Sequence, residues 1–351
     1  MKLLLVTFPV DLGNATQAQR FVDFFSSCPE IDLQVFRFAP NPDIPHPRSI
    51  FTFDYLRLLF RRLKDSIELW KTIVRAKRAD RKILIMGVSP AMFGYFATGR
   101  KNSYIVTDWT RKLYEPIWKS SGSPAWLTQI HTHILNAQTS VLGLTQAVAA
   151  QIERDYHVPS SNIKRAKVPF SVDLELFSPP IHREDNEVRI LFVGGDFQRK
   201  GGDVLLQWFK QNNRPELKMT MVTGFPLDDC PGVAIEKDVQ YGQLKHINLF
   251  LSHDIFVLPT TCDGYPLVLG EAACAGLCIL TTNKALGAFE VIEHGKNGYI
   301  FDSQAELLEC LTQLIEDREK IKLMKLNSRK FMETKFSKEK VIDEYIDYIF
   351  K

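Results

Sequence analysis

Residues 190–202, Ile190-Leu191-Phe192-Val193-Gly194-Gly195-Asp196-Phe197-Gln198-Arg199-Lys200-Gly201-Gly202, pass from an apolar run into a glycine-rich turn that carries two adjacent cations. Asp203-Val204-Leu205-Leu206-Gln207-Trp208-Phe209 then sets apolar residues at helical spacing. A buried strand that turns through glycines into a helix is the start of a βα unit. The helix's amino end, with its unbonded N–H groups and dipole, favours an anion. Arg199 would supply a bidentate guanidinium and Lys200 a point charge, a pair suited to a diphosphate. The plainer alternative is a solvated turn with two surface charges.

Outward from this segment the same alternation fills the chain. Strand-like runs fall at Leu3–Phe8, Leu33–Phe38, Ile83–Met86, Tyr104–Thr107 and Ser140–Leu144. They restart at Arg189–Val193, Lys218–Val222, Ile255–Pro259, Leu277–Thr281 and Gly298–Phe301. Helical stretches between them predict two α/β units with parallel sheets. The proline-containing and then charged stretch 167–185 suits a linker, with a hinge near residues 169–182. Val341, Tyr345 and Ile349 predict a terminal helix over 338–350.

A chain of 351 residues also exceeds what one core usually sustains, roughly 250–300 residues, which favours two domains. With 44 basic and 41 acidic residues, the formal charge of +3 says nothing for or against nucleic acid, and no nucleic-acid partner is expected because no recognised nucleic-acid module accompanies the basic stretch at 55–77. Lys2-Leu3-Leu4-Leu5-Val6-Thr7-Phe8 is too short for a signal-peptide core, and no apolar run approaches the ~20 residues of a membrane span. Cys28, Cys230, Cys262, Cys274, Cys278 and Cys310 show no metal-ligand spacing, so reduced thiols in the cytoplasm are expected.

A second motif sharpens the chemistry. In Thr261-Cys262-Asp263-Gly264-Tyr265-Pro266-Leu267-Val268-Leu269-Gly270-Glu271 the two carboxylates bracket a turn that opens a helix. Carboxylates there can accept hydrogen bonds from sugar hydroxyls; alone, Asp263 would be a turn residue and Glu271 a first-turn charge favoured by the helix dipole. At these residues the chain resembles the retaining GT-B glycosyltransferases of family 4, which carry an acidic pair at this spacing. Asp263 stands where that family usually has Glu, and Pro266 where it often has Gly. The likeness continues in 286–298, Leu-Gly-Ala-Phe-Glu-Val-Ile-Glu-His-Gly-Lys-Asn-Gly, and in 168–179, Val-Pro-Phe-Ser-Val-Asp-Leu-Glu-Leu-Phe-Ser-Pro. Gly194-Gly195-Asp196-Phe197-Gln198-Arg199-Lys200-Gly201 looks most like the bacterial lipopolysaccharide-core glucosyltransferase subgroup.

The resemblance implies an α/β GT-B fold, two Rossmann-like domains facing each other across a cleft. It implies an acceptor-binding domain over 1–172, a sugar-nucleotide-binding domain over 173–334, and a helix over 335–351 returning to the first. It also implies a retaining hexosyltransferase moving a sugar from a nucleotide-diphosphate sugar, a UDP-sugar by the subgroup likeness, to a glycan or glycolipid. Arg199, Lys200 and the loop amides at Gly194 and Gly195 would take the diphosphate, Asp263 the transferred sugar and Glu271 the ribose. Gly264, Tyr265 and Leu267 would line the donor turn, and Thr223-Gly224 would pack the nucleoside. Gly13 would face the donor from the first domain, and Asp108 stands near the place of a cleft histidine that this chain lacks; a helix cap is its plainer role. No cofactor or metal is expected.

Two alternatives stay open: a catalytically inactive sugar-nucleotide-binding protein and a two-domain nucleotide-dependent oxidoreductase. The absence of Gly-x-Gly-x-x-Gly after the first strand weighs against the latter. One further feature concerns location. Over 55–77, Leu56, Leu59, Phe60, Leu63, Ile67, Trp70 and Val74 form an apolar helical stripe flanked by Arg57, Arg61, Lys64, Lys71 and Arg75. Such a helix suits either packing on a sheet or peripheral contact with an anionic membrane, at its inner face for a cytoplasmic protein.

Overall fold

The computed structural model describes residues 1–7, 12–38, 53–98, 102–110, 112, 125–177 and 186–351. The chain divides into two compact units, Met1–Val168 with Ile342–Lys351, and Pro169–Val341.

In the first unit β1 (Lys2–Thr7), α1 (Leu12–Ser26), β2 (Asp32–Arg37), α2 (Phe53–Arg78), β3 (Lys82–Met86) and α3 (Val88–Thr98) are followed by β4 (Ser103–Thr107), α4 (Ala125–Asn136), β5 (Ser140–Gly143), α5 (Gln146–Tyr156) and β6 (Ile163–Arg165). The sheet order is β2-β1-β3-β4-β5-β6 and every pairing is parallel. β1, β4 and β5 are buried along nearly their whole length, as expected where both faces of a parallel sheet are covered.

The second unit contains α6 (Ser171–Leu176), β7 (Val188–Val193), α7 (Gly202–Asn212), β8 (Leu217–Val222), β9 (Val233–Glu236), α8 (Leu244–Leu251), β10 (Ile255–Leu258) and α9 (Leu267–Cys274). It continues through β11 (Cys278–Thr282), α10 (Ala288–Val291), β12 (Gly298–Phe301), α11 (Gln304–Leu314), α12 (Arg318–Lys335) and the start of α13 (Lys338–Phe350). The order β12-β11-β10-β7-β8-β9 is again all parallel. Two Rossmann-like six-stranded units are thus present, as the alternation predicts. Residues 342–351 group with the first unit, where the Tyr345 ring meets Phe21, Phe24 and Phe25 at 5.4–6.3 Å.

Three details differ from the sequence expectations. The edge strands β6 and β9 are additional: at 3 and 4 residues, IKR and VAIE, each is too short to carry a strand-like apolar run. Residues 169–177 are not an irregular linker: α6 forms there, and the rings of Phe170 and Phe177 are fully buried. Arg329 on α12 holds the segment by donating to the carbonyls of Phe177 (2.8 Å), Leu174 (3.2 Å) and Cys274 (2.7 Å).

The third difference is the stripe on α2. Leu69, Ile73 and Ala76 face the core, whereas Leu63, Ile67 and Trp70 are 57%, 46% and 48% exposed. The helix has two apolar strips, and the one at 69, 73 and 76 is taken up by the sheet. The side chains of Leu56, Arg57, Leu59, Phe60 and Arg61 lie outside the described residues. Among the described residues no helix is long and apolar enough to cross a membrane.

Candidate functional site

In an open parallel sheet, ligands collect beyond the strand carboxyl ends where the strand order reverses. In the second unit this point lies between β7 and β10, since the chain runs from β7 outward to β9 and then returns to the other side of β7. The loops leaving β7 and β10 therefore face each other here, and they carry Arg199, Lys200 and Asp263.

Backbone and side-chain bonds lock the two loops together. The Thr261 amide and the Thr260 and Thr261 hydroxyls all donate to the Arg199 carbonyl, at 2.9, 3.1 and 3.0 Å. Arg199 Nη1 donates to the Cys262 carbonyl at 2.5 Å. Gly201 permits this approach: its φ is +78°, and a Cβ there would stand 2.2 Å from the Pro259 carbonyl oxygen. On the far side, Asp263 N–H donates to the Lys284 carbonyl (2.9 Å), while the Leu286 and Gly287 amides donate to the carbonyls of Asp263 (3.0 Å) and Gly264 (2.8 Å). The 286–298 segment thus fixes the backbone of the acidic turn.

The side chains form a four-charge cluster. Lys200 Nζ lies 2.7 Å from Asp263 Oδ2, Arg199 Nη1 3.7 Å from the same oxygen, and Arg199 Nε 2.8 Å from Asp196 Oδ2. Two cations are held half-buried by two carboxylates, an arrangement an anionic ligand can enter by exchanging partners. The Lys200, Gly201 and Gly202 amides donate to the carbonyls of Asp196, Gln198 and Phe197 at 2.8–3.0 Å. This part of the loop closes on itself, so the cationic side chains carry more of any anion binding than its amides do. Gly194 is buried against Phe192 and Lys200, and Gly195 is exposed with open space beside it.

Thr223 and Gly224 follow β8 on the other flank of β7, with Thr223 Oγ1 accepting from the Phe225 amide at 3.1 Å. Phe225, not foreseen from sequence, is 39% exposed and stacks on Phe197 with ring centroids 4.9 Å apart and planes 10° from parallel. Beside Gly224 it offers an apolar face on which a planar base could pack.

Glu271 lies in the second turn of α9 rather than its first, and it is buried. Its Oε2 is 3.2 Å from Nε2 of His246 on α8, a partner that sequence spacing does not show. Tyr265 is buried against Phe170 at 6.1 Å, so its ring is taken up by packing, while Leu267 opens α9. The structure therefore gathers Gly194, Gly195, Arg199, Lys200, Thr223, Gly224, Asp263, Gly264, Tyr265, Leu267 and Glu271 at one end of one sheet. Gly13 and Asp108 belong to the other unit: Gly13 is in the first turn of α1, and Asp108 is half-buried just past β4. Residues 8–11 lie outside the described residues.

Burial, and then the neighbouring Asp263 carboxylate, push the Cys262 thiol above its usual range. It stays protonated and is unsuited to act as a nucleophile. Among the described residues no group of three or more His, Cys, Asp or Glu side chains is placed to hold a metal ion.

A family model described as Glycosyl transferases group 1 matches residues 175–331. Spore coat protein SA of Bacillus subtilis (strain 168) is 29% identical over 224 residues, covering 54% of this chain and 59% of that protein. An uncharacterized glycosyltransferase of Haemophilus influenzae is 28% identical over 167 residues, 44% of this chain and 47% of its own. The chain spans about half the length of the known relatives it matches. Among solved structures, sucrose-phosphate synthase from Thermosynechococcus elongatus superposes with a TM-score of 0.74 at 16% identity, covering 100% of this chain and 99% of that one. Anabaena HepE in complex with UDP and glucose gives 0.70 at 14% identity, covering 99% and 98%. These likenesses identify the fold.

Proposed function

We propose, from a second unit that matches the glycosyl transferases group 1 family, that this protein is a retaining hexosyltransferase of the family 4 type. It would move a sugar from a nucleotide-diphosphate sugar, a UDP-sugar, to a glycan or glycolipid acceptor. The observation that carries the reading is the Lys200–Asp263 contact of 2.7 Å at the sheet's switch point, with Arg199 beside it. It supports reading the two cations as the diphosphate's partners and the carboxylate as the sugar's.

In the proposed reaction the donor's diphosphate takes Lys200 and Arg199 from their carboxylate partners. Asp263, released, accepts from hydroxyls of the transferred sugar, and Glu271 accepts from the ribose. The bond between the anomeric carbon and the phosphate oxygen breaks as an acceptor hydroxyl attacks the same face. The leaving phosphate oxygen receives the acceptor's proton, so no separate protein base is required. Preorganised positive charge on the departing diphosphate is then the main catalytic contribution of the chain. Arg199 and Lys200 supply the neutralisation that a divalent ion would otherwise give, and the reaction is proposed to be independent of metal. Asp108 remains the proposed stand-in for a cleft histidine, and Gly13 a proposed donor-facing position.

The exposed Leu63, Ile67 and Trp70 beside Lys64, Lys71 and Arg75 support a peripheral contact with an anionic membrane, where a glycolipid acceptor would lie. A panel of nucleotide sugars, assayed for hydrolysis with and without chelator and for the anomeric configuration of the transferred sugar, tests the proposal. Retained configuration and chelator-resistant turnover are expected. Nucleotide binding without turnover on any donor and acceptor would favour the inactive binding protein instead.

A further inference from the structure

His246 and Glu271 sit on neighbouring helices 25 residues apart, and their side chains are only 7% and 5% exposed. The imidazole is oriented from several sides. Its Nδ1 accepts from the Gly242 amide at 3.4 Å, which assigns the proton to Nε2, the nitrogen 3.2 Å from Glu271 Oε2. Its ring is packed by Phe250 at 4.9 Å, Tyr241 at 5.3 Å and Phe177 at 5.5 Å. Tyr241 is itself tied down, its hydroxyl donating to the buried Asp173 carboxylate at 2.9 Å. A histidine caged by three aromatic rings has little rotamer freedom, so its N–H points in one direction, at the Glu271 carboxylate.

We infer that His246 is a positioning residue: its Nε2–H holds one Glu271 oxygen so that the carboxylate is presented to the ribose hydroxyls of the donor in a single orientation. This rests on the donor-site reading given above. A buried carboxylate without such an anchor can rotate, and a two-hydroxyl contact needs both of its oxygens in register.

The test uses the full chain with UDP and 2′-deoxy-UDP as probes in calorimetric titration. His246→Phe preserves an aromatic ring in the cage and removes the donor; His246→Gln restores an N–H near the position of Nε2. His246→Phe is expected to weaken UDP binding roughly tenfold, the worth of one hydrogen bond to a charged group. It is also expected to lose most of the preference for UDP over the deoxy compound. His246→Gln should recover that preference, and the donor KM should rise in the Phe variant far more than kcat falls. A folded Phe variant that discriminates the two nucleotides as the wild type does overturns the inference. If the Phe variant does not fold, nitrogen resonances of the wild-type histidine decide: a ring protonated on Nδ1, or one unmoved by UDP, overturns it. Glu271→Gln separates the two levels. If it weakens UDP while His246→Phe does not, only the positioning role falls; if it binds UDP unchanged, the ribose assignment falls and this inference with it.

Discussion

The Lys200 ammonium and the Asp263 carboxylate are each other's partners at 2.7 Å, with Arg199 at 3.7 Å from the same oxygen. The group proposed for the diphosphate and the group proposed for the sugar are therefore joined before any donor arrives. The pairing keeps two half-buried cations from standing unpaired, and it sets an exchange that a donor must drive.

The exchange predicts opposite effects of one substitution on binding and on turnover. Asp263→Asn removes the competing charge, so UDP should bind more tightly, by about fivefold for a partly screened pair worth roughly 1 kcal/mol. Transfer should fall sharply, because the sugar loses its charged acceptor. Calorimetry and a transfer assay on the same preparation check both signs; weaker UDP binding would mean that Asp263 does not compete for Lys200.

The two cations should not be equivalent. Arg199→Ala and Lys200→Ala should each cost ~1.5–3 kcal/mol of nucleotide affinity, the worth of a charge-assisted contact to the proposed diphosphate. Arg199 also donates to the Cys262 carbonyl, at 2.5 Å. Its loss should therefore lower the melting temperature as well, whereas Lys200→Ala should leave stability nearly unchanged. Calorimetric titration and thermal scans of both variants test this. Unaltered UDP affinity in both would remove these residues from the diphosphate site.

How much of this was legible in the sequence follows from the range of each interaction. The strands β7 and β10 and the glycine turn are local, and their runs and punctuation mark them. Asp263 and Glu271 share one turn and helix, so their spacing shows them together. Val233–Glu236 is an edge strand with half-exposed residues, and no periodic signal separates it from a loop. On α2 helical spacing marks an apolar strip, but which of two strips meets the sheet is decided by tertiary packing, and Leu69 and Ile73 take that place. Nothing in the sequence pairs His246 with Glu271, because the two lie on different helices. A histidine set among Phe250, Ile247 and Leu251 on a short apolar helix was the one local hint that it would be buried and in need of a partner.

The outward strip on α2 predicts lipid binding that depends on both its charge and its rings. The protein should sediment with vesicles containing an anionic phospholipid and not with neutral ones. Raised salt should weaken the contact, since Lys64, Lys71 and Arg75 each add up to ~1 kcal/mol near such a surface. Trp70→Ser with Ile67→Ser should abolish it without lowering the melting temperature, because both residues are already exposed. Equal pelleting with both vesicle types, or none at low salt, would assign the strip another role.

Two glycines in the same turn should respond differently to one added methyl group. At Gly201 the backbone is left-handed, and a Cβ would collide with the Pro259 carbonyl at 2.2 Å, a backbone atom that cannot rotate away. Gly201→Ala must therefore push the β7 loop from the end of β10, breaking the bonds that Thr260 and Thr261 make to the Arg199 carbonyl. Strain of about 1–3 kcal/mol should appear as a lower melting temperature. UDP affinity should drop with it, because Arg199 and Lys200 leave the positions from which the loop would present them to the diphosphate. At Gly195 the added carbon meets nothing within 4 Å, and Gly195→Ala should melt as the wild type does. Thermal scans and UDP titrations of the pair decide the matter. A harmless Gly201→Ala would show that the close approach of these two loops is not what holds the charge cluster in place.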